Sequence, residues 1–183
     1  MAIMTVMPRE TAEWTVDDLD RLPDDGLQYE LLDGILLVSP APSVRHQVVA
    51  ANLFTTVRAA CPHDLVALFA PLDWRPDRRT SLQPDLLVAR RTDLEGRTIT
   101  EPLVLAIEIL SPSSARKDAV LKRSKYQDGG VAHYWIVDPI EPSFLALALV
   151  DGMYRTAGRA AGDESVTLDH PFPVTIVPSA LVS

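Results

Sequence analysis

The chain has 183 residues, 47% of them apolar, and its 17 basic and 25 acidic side chains give a net charge of −8. That length suits one domain around one core, and the single cysteine, Cys61, excludes an internal disulfide and a thiolate metal cluster. The acidic balance argues against nucleic-acid affinity carried by a broadly basic surface, although a basic cleft on an acidic body stays compatible with it.

No apolar run approaches the roughly 20 residues that span a bilayer. The longest, Leu103 to Leu110, is interrupted by Glu108. The opening stretch is too short for a signal peptide and soon meets Arg9 and Glu10. A soluble, cytoplasmic protein without a membrane partner is expected.

In chain order, residues 1–13 read as a loose N-terminal tail and 14–183 as a single domain. Thr15 caps a short helix through Leu22, with Asp18 as the acid of a capping box. Pro23-Asp24-Asp25-Gly26 ends it. Gln28–Leu32 and Ile35–Ser39 read as strands joined by Asp33-Gly34, a strong hairpin signal. Ser43 caps a helix from Val44 to about Ala60, with an apolar stripe of Val44, Val48, Ala51, Leu53 and Val57.

Strands follow at Leu65–Phe69, Leu72–Arg75, Asp85–Ala89 and Leu103–Leu110, the last two as continuous apolar runs of the buried type. Ser113 or Ser114 starts a helix that runs to about Asp128, and Gly129-Gly130 stops it. His133–Val137 is a strand rich in aromatic and β-branched residues. Phe144–Val150 and Met153–Thr156 form a hairpin across Asp151-Gly152, and the chain from Gly158 reads as loop. The first run of the hairpin suits core or, less readily, an interface. The pattern defines an α+β class with a mixed sheet.

Two carboxylates stand out. Asp85 opens the run Leu86-Leu87-Val88, and Glu108 sits inside Leu105 to Leu110. A carboxylate in such a setting is costly without compensation. Each alone reads equally well as half of a structural ion pair. Together, on adjacent strands, they can converge on one point, where they repel unless a proton or a cation intervenes. Hard oxygen donors suit Mg²⁺ or Mn²⁺ rather than Zn²⁺. Such an ion can activate water and stabilise a phosphate under attack.

Asp118, Lys122 and Tyr126 share one helix face by their i, i+4, i+8 spacing. Taken alone this spacing reads better as a plain surface pair, while beside a two-carboxylate metal site the Lys can orient water or stabilise a phosphate. Glu30 reads either as a strand-edge polar residue or as a third acid. His46 and Gln47, at the start of a helix, read either as an exposed polar turn or as the lip of a cleft. His63, His133 and His170 show no ligand spacing with His46. Neither a Gly-rich phosphate loop nor a Gly-x-Ser-x-Gly elbow occurs.

Taken in order, these segments resemble the Uma2 family, also called DUF820, of the PD-(D/E)xK nuclease superfamily. The matching pieces are Tyr29-Glu30-Leu31-Leu32-Asp33-Gly34, Ser43-Val44-Arg45-His46-Gln47, Gln83-Pro84-Asp85-Leu86-Leu87-Val88 and Ile107-Glu108-Ile109-Leu110-Ser111-Pro112-Ser113. Asp118-x3-Lys122-x3-Tyr126, Gly130-Val131 and Tyr134-Trp135-Ile136-Val137-Asp138-Pro139 complete the set.

The resemblance implies a restriction-endonuclease-like fold, a mixed sheet flanked by helices. It implies a metal on Asp85 and Glu108, with Glu30 as an additional acid. The superfamily pattern places a Lys two residues after the second acid, where this chain has Leu110. Lys122 is the expected replacement, with Lys117 and Lys125 as neighbours. His46, Gln47, Ser111, Asp118 and Tyr126 are expected near the substrate.

Three functions follow as expectations. The first is a Mg²⁺- or Mn²⁺-dependent endonuclease acting on DNA, dimeric by analogy with the superfamily. The second is a non-catalytic nucleic-acid-binding or regulatory module that keeps the fold. The third is a phosphodiesterase for RNA or small molecules.

Overall fold

The computed structural model describes the backbone of residues 5–7, 13–111 and 115–183, with side chains from 13–111 and 121–183. The chain opens with β1 (Thr5–Met7), which pairs antiparallel with the later strand β3. This short run is a strand where the sequence suggests tail. Its backbone pairing, which three residues cannot announce by periodicity, holds it. The other residues of the expected tail, up to Ala12, lie outside those described.

Helix α1 (Val16–Leu19) carries the expected capping box. Thr15 Oγ1 accepts from the Asp18 N–H, and the Asp18 carboxylate accepts from the Thr15 N–H at 3.1 Å. The helix stops after one turn, short of Leu22. Arg21 and Leu22 continue as tighter turns that donate three residues back, ahead of Pro23. β2 (Gln28–Leu32) and β3 (Ile35–Ser39) form the predicted hairpin. Asp33 (φ 51°) and Gly34 (φ 81°) both occupy the left-handed region that this two-residue turn demands.

Helix α2 (Val44–Ala60) begins at Ser43, whose hydroxyl accepts from the His46 N–H. Its inward stripe is Val49, Leu53 and Val57, while Val44 and Val48 face outward. The run Val48-Val49-Ala50-Ala51 is apolar on every side, so spacing alone could not set the phase.

β4 (Leu65–Phe69), β5 (Trp74–Asp77), β6 (Thr80–Leu82) and β7 (Leu86–Arg90) follow. β5 starts later than the sequence suggests because buried Trp74 anchors it, its indole N–H donating to the Glu101 carbonyl at 3.0 Å. β6 is a strand the sequence reading missed. β8 (Leu105–Ile109), α3 (Ala115–Asp128), β9 (His133–Asp138), β10 (Ser143–Val150) and β11 (Met153–Ala161) complete the central part. β12 (Val166–Leu168), β13 (Val174–Ile176) and α4 (Pro178–Leu181) replace the expected terminal loop. Leu168, Phe172, Val174, Ile176 and Leu181 are buried there, so tertiary burial organises a stretch whose apolar pieces are too short to show a period.

Two sheets result. One runs β1-β3-β2-β6-β5, and the other β11-β10-β9-β8-β7-β4. In the six-stranded sheet β8 and β9 are parallel and the remaining pairs antiparallel. The sheet is therefore mixed, as the α+β reading expects. α2 and the C-terminal elements cover one face through Leu86, Val88, Ile107 and Trp135. The other face packs Leu87, Ala106 and Tyr134 against Tyr126 of α3 and against Leu37, Trp74 and Leu82 of the five-stranded sheet. β10 lies between β9 and β11, with Phe144, Ala146 and Leu147 buried, so this apolar run is core.

The end of α3 shows why two glycines stand together. Gly130 (φ 73°) takes the left-handed cap position. Its N–H donates to the Gln127 carbonyl, and the Val131 N–H donates to the Tyr126 carbonyl, the pairing of a Schellman motif. Gly129 is needed for space instead. A Cβ there would lie 2.3 Å from Cη2 of buried Trp74. Gly129→Ala is expected to cost about 1–3 kcal/mol by overpacking. Urea denaturation followed by tryptophan fluorescence measures it, and an unchanged midpoint would mean that Trp74 yields freely.

Candidate active site

Strand register brings the two acids together. Leu86, Leu87 and Val88 of β7 pair with Ile107, Ala106 and Leu105 of β8. Carried one residue further, the same register sets Asp85 opposite Glu108. Directly opposed residues project to the same side of an antiparallel pair, with Cβ atoms about 4.5–5.5 Å apart. That side is the α3 face of the sheet.

Each carboxylate is held by named donors. The Ile109 N–H donates to Asp85 Oδ2 at 2.7 Å, and His46 Nε2 lies 3.2 Å from Asp85 Oδ1. The Tyr126 hydroxyl donates to Glu108 Oε1 at 2.7 Å. Lys122 Nζ lies 3.3 Å from both Glu108 oxygens and donates to Glu30 Oε1 at 2.8 Å. Glu30 Oε1 also accepts from the Gln83 N–H at 2.8 Å. The i, i+4 spacing of Lys122 and Tyr126 on α3 therefore aims both side chains at one carboxylate. Tyr126 is in turn wedged between the rings of Trp74 and Tyr134, at centroid distances of 5.4 and 5.0 Å.

The electrostatics are unbalanced. Glu30, Asp85 and Glu108 face one ammonium and one imidazole. Burial, aided by the fields of Asp85 and Glu30, overcomes the pull of Lys122 and pushes the Glu108 carboxyl up to about 7. Burial alone would depress Lys122, but the Glu108 and Glu30 carboxylates outweigh it and hold the amine well above its ordinary value. Burial likewise opposes the charged form of His46, and the Asp85 carboxylate more than restores it, so its pKa is raised. Burial and the same acids push the Tyr126 phenol upward, so it remains a donor.

Of the residues singled out in the sequence, Glu30, His46, Asp85, Glu108, Lys122 and Tyr126 meet in this cluster. Gln47 is exposed, and no described side-chain bond ties it to the cluster. Ser111 is half-buried, two residues beyond Ile109. The side chains of Asp118 and Lys117 lie outside the described residues. Lys125 pairs with Asp33 at the hairpin turn instead. The main-chain N–H groups of Gln83 and Ile109, which fix Glu30 and Asp85, escaped the sequence reading because a backbone donor leaves no mark in residue type.

The oxygens of Asp85 and Glu108 are the donors able to hold a metal. They are hard, and they stand in a net-negative pocket that a divalent cation would relieve. Among the described residues no three His, Cys, Asp or Glu side chains converge as a cage. Two carboxylates, with the other positions left to water and substrate oxygens, match the habit of Mg²⁺. The residues present fit the ion.

A mixed sheet sandwiched by helices, with acids from neighbouring strands converging beside a helix lysine, defines a restriction-endonuclease-like protein. The chain belongs to the Uma2 family, whose profile matches residues 16–180 and is described as "Putative restriction endonuclease". Its fold is similar to that of a crystal structure from Anabaena variabilis ATCC 29413, titled a "putative nuclease belonging to DUF820". The TM-score is 0.74 at 17% identity, covering 92% of this chain and 97% of that one. Comparison with curated proteins returned no match.

The pairing around Lys122 predicts an asymmetry in stability. Lys122→Met strands two buried carboxylates and is expected to cost about 3–5 kcal/mol. Glu108→Gln leaves Lys122 on Glu30 and should cost clearly less. Thermal or urea unfolding of both variants compares them, and an equal loss would mean that Lys122 does not depend on Glu30 as its second partner.

Proposed function

We propose that this protein is a divalent-metal-dependent endonuclease that hydrolyses DNA phosphodiester bonds, with Asp85 and Glu108 as metal ligands. The observation that carries this reading is the opposition of these two acids across β7 and β8, beside a buried lysine. Family membership supports the nuclease class. When bound, Mg²⁺ or Mn²⁺ supplies a Lewis acid for the phosphate and lowers the pKa of water.

The chain's own residues do the rest. The Ile109 N–H and His46 orient Asp85, while Tyr126 orients Glu108. Lys122 stays an ammonium between Glu30 and Glu108, so its role is to stabilise charge on the phosphate rather than to take a proton from water. Glu30 holds that ammonium in position and is itself fixed by the Gln83 N–H.

Plasmid DNA with Mg²⁺ or Mn²⁺ tests the reading. Wild type is expected to nick or linearise it. Asp85→Asn and Glu108→Gln should abolish cutting, and Lys122→Met should slow it by about 10²- to 10³-fold. Equal cutting by wild type and Asp85→Asn would expose a contaminant and sink the assignment.

A second reading, a non-catalytic nucleic-acid-binding or regulatory module, is favoured by the net charge of −8 and by Leu110 in the superfamily's lysine position. Calorimetry with Mn²⁺ separates the two. The hydrolytic reading expects one-site binding that Glu108→Gln weakens by at least about tenfold. Absence of Mn²⁺ uptake by the wild-type chain would favour the module.

A further inference from the structure

A cavity adjoins the segment that leads from β4 past Asp85. The Ala70 N–H donates to the Asp85 carbonyl, and the chain that follows, through Pro71, Leu72 and Asp73, walls a space of about 650 Å³. Asp20, Arg75, Gln83, Arg97 and Thr98 complete it. The volume lies in the range of small-molecule and nucleotide sites.

Gln83 joins this cavity to the acid cluster. Its main-chain N–H holds Glu30, while its side chain turns into the cavity and donates from Nε2 to Asp73 Oδ1 at 2.7 Å. A carboxylate only accepts, so Asp73 fixes the amide orientation and Oε1 is the atom left over. That oxygen is buried and has no hydrogen-bond partner. Its neighbours are already engaged. Arg75 donates to Asp73 Oδ2 at 2.7 Å, to Ser81 Oγ at 3.1 Å and to Asp20 Oδ1 at 2.8 Å. Among the described residues, then, none supplies the missing donor. A buried acceptor of this kind is costly until a donor reaches it. Arg97 stands exposed at the rim.

The geometry points to a nucleotide subsite beside the scissile phosphate, in which the Gln83 amide oxygen reads an exocyclic amino group of a base. Pro71 and Leu72 offer the base an apolar wall, and Arg97 faces the flanking phosphate. Adenine and cytosine present an amino donor where thymine presents a carbonyl acceptor. On a single strand thymine offers only its N3–H, flanked on both sides by carbonyl oxygens that repel the amide oxygen, so the cavity favours adenine or cytosine over thymine at this one position. The subsite rests on the nuclease reading for its polymer, and it adds a preference that the acid cluster cannot supply.

Fluorescence anisotropy on the full chain in EDTA tests it. The probes are labelled single-stranded oligodeoxyadenylate, oligodeoxycytidylate and oligothymidylate of equal length. Wild type is expected to bind the first two about 3- to 10-fold more tightly than the third. Gln83→Leu, which keeps the main-chain N–H for Glu30, should bring the three within about twofold. Arg97→Ala, an exposed change that spares the fold, should weaken all three and lessen the salt dependence. Equal binding of the three by wild type, a preference that survives Gln83→Leu, or no effect of Arg97→Ala overturns the subsite.

Cleavage is scored separately. Base preference lost in Gln83→Leu, with no hydrolysis by wild type, supports the subsite and removes the hydrolytic reading. Hydrolysis with indifferent binding removes the subsite and leaves the nuclease.

Discussion

One buried ammonium joins the two sheets. Lys122 reaches from α3 to Glu30 on β2 and Glu108 on β8, strands that belong to different sheets. The three side chains are almost wholly removed from water. Such a group stays buried at tolerable cost only while a carboxylate partner is present. The docking of the five-stranded sheet on the six-stranded one and the assembly of the acid cluster are therefore one event. A state in which the sheets part also scatters the cluster.

The same arrangement sets the chemical character of the site. Three acids share one lysine and one histidine, so the pocket keeps an excess of negative charge. Burial and that excess together explain why Glu108 holds its proton so far above the ordinary carboxylate range. A strongly negative recess is a poor place for a phosphate until a small, highly charged ion enters it. That local excess sits on a protein that is acidic overall.

Much of the architecture could be read before any coordinates. Both Asp-Gly hairpins declared themselves because Asp33, Gly34, Asp151 and Gly152 suit positive φ. Asp85 and Glu108 stood out as charges in apolar runs, and the paired spacing of Lys122 and Tyr126 survived intact. Other features were hidden for physical reasons. α2 has apolar residues on several sides, so its buried face was misjudged. β6, β12 and β13 have three residues each, too few for alternation to speak. The closeness of His46 to Asp85 is a product of packing between distant segments. The backbone donors at Gln83 and Ile109 have no residue signature at all.

Strand pairing gives the acid pair an unequal tolerance to change in chain length. Removing one residue within β7 or β8 would turn one of the two acids to the α2 side of the sheet, because successive side chains alternate. The exposed part of the connection between those strands, from Leu94 to Arg97, obeys no such parity and can lengthen or shorten while Ile99 and Leu103 stay packed and the acids stay opposed. Arg97 lies on that connection. Insertions and deletions there would rework what rims the neighbouring cavity and leave the acid cluster as it is, so lineages carrying this fold have a route to a different cavity that does not disturb the opposed acids.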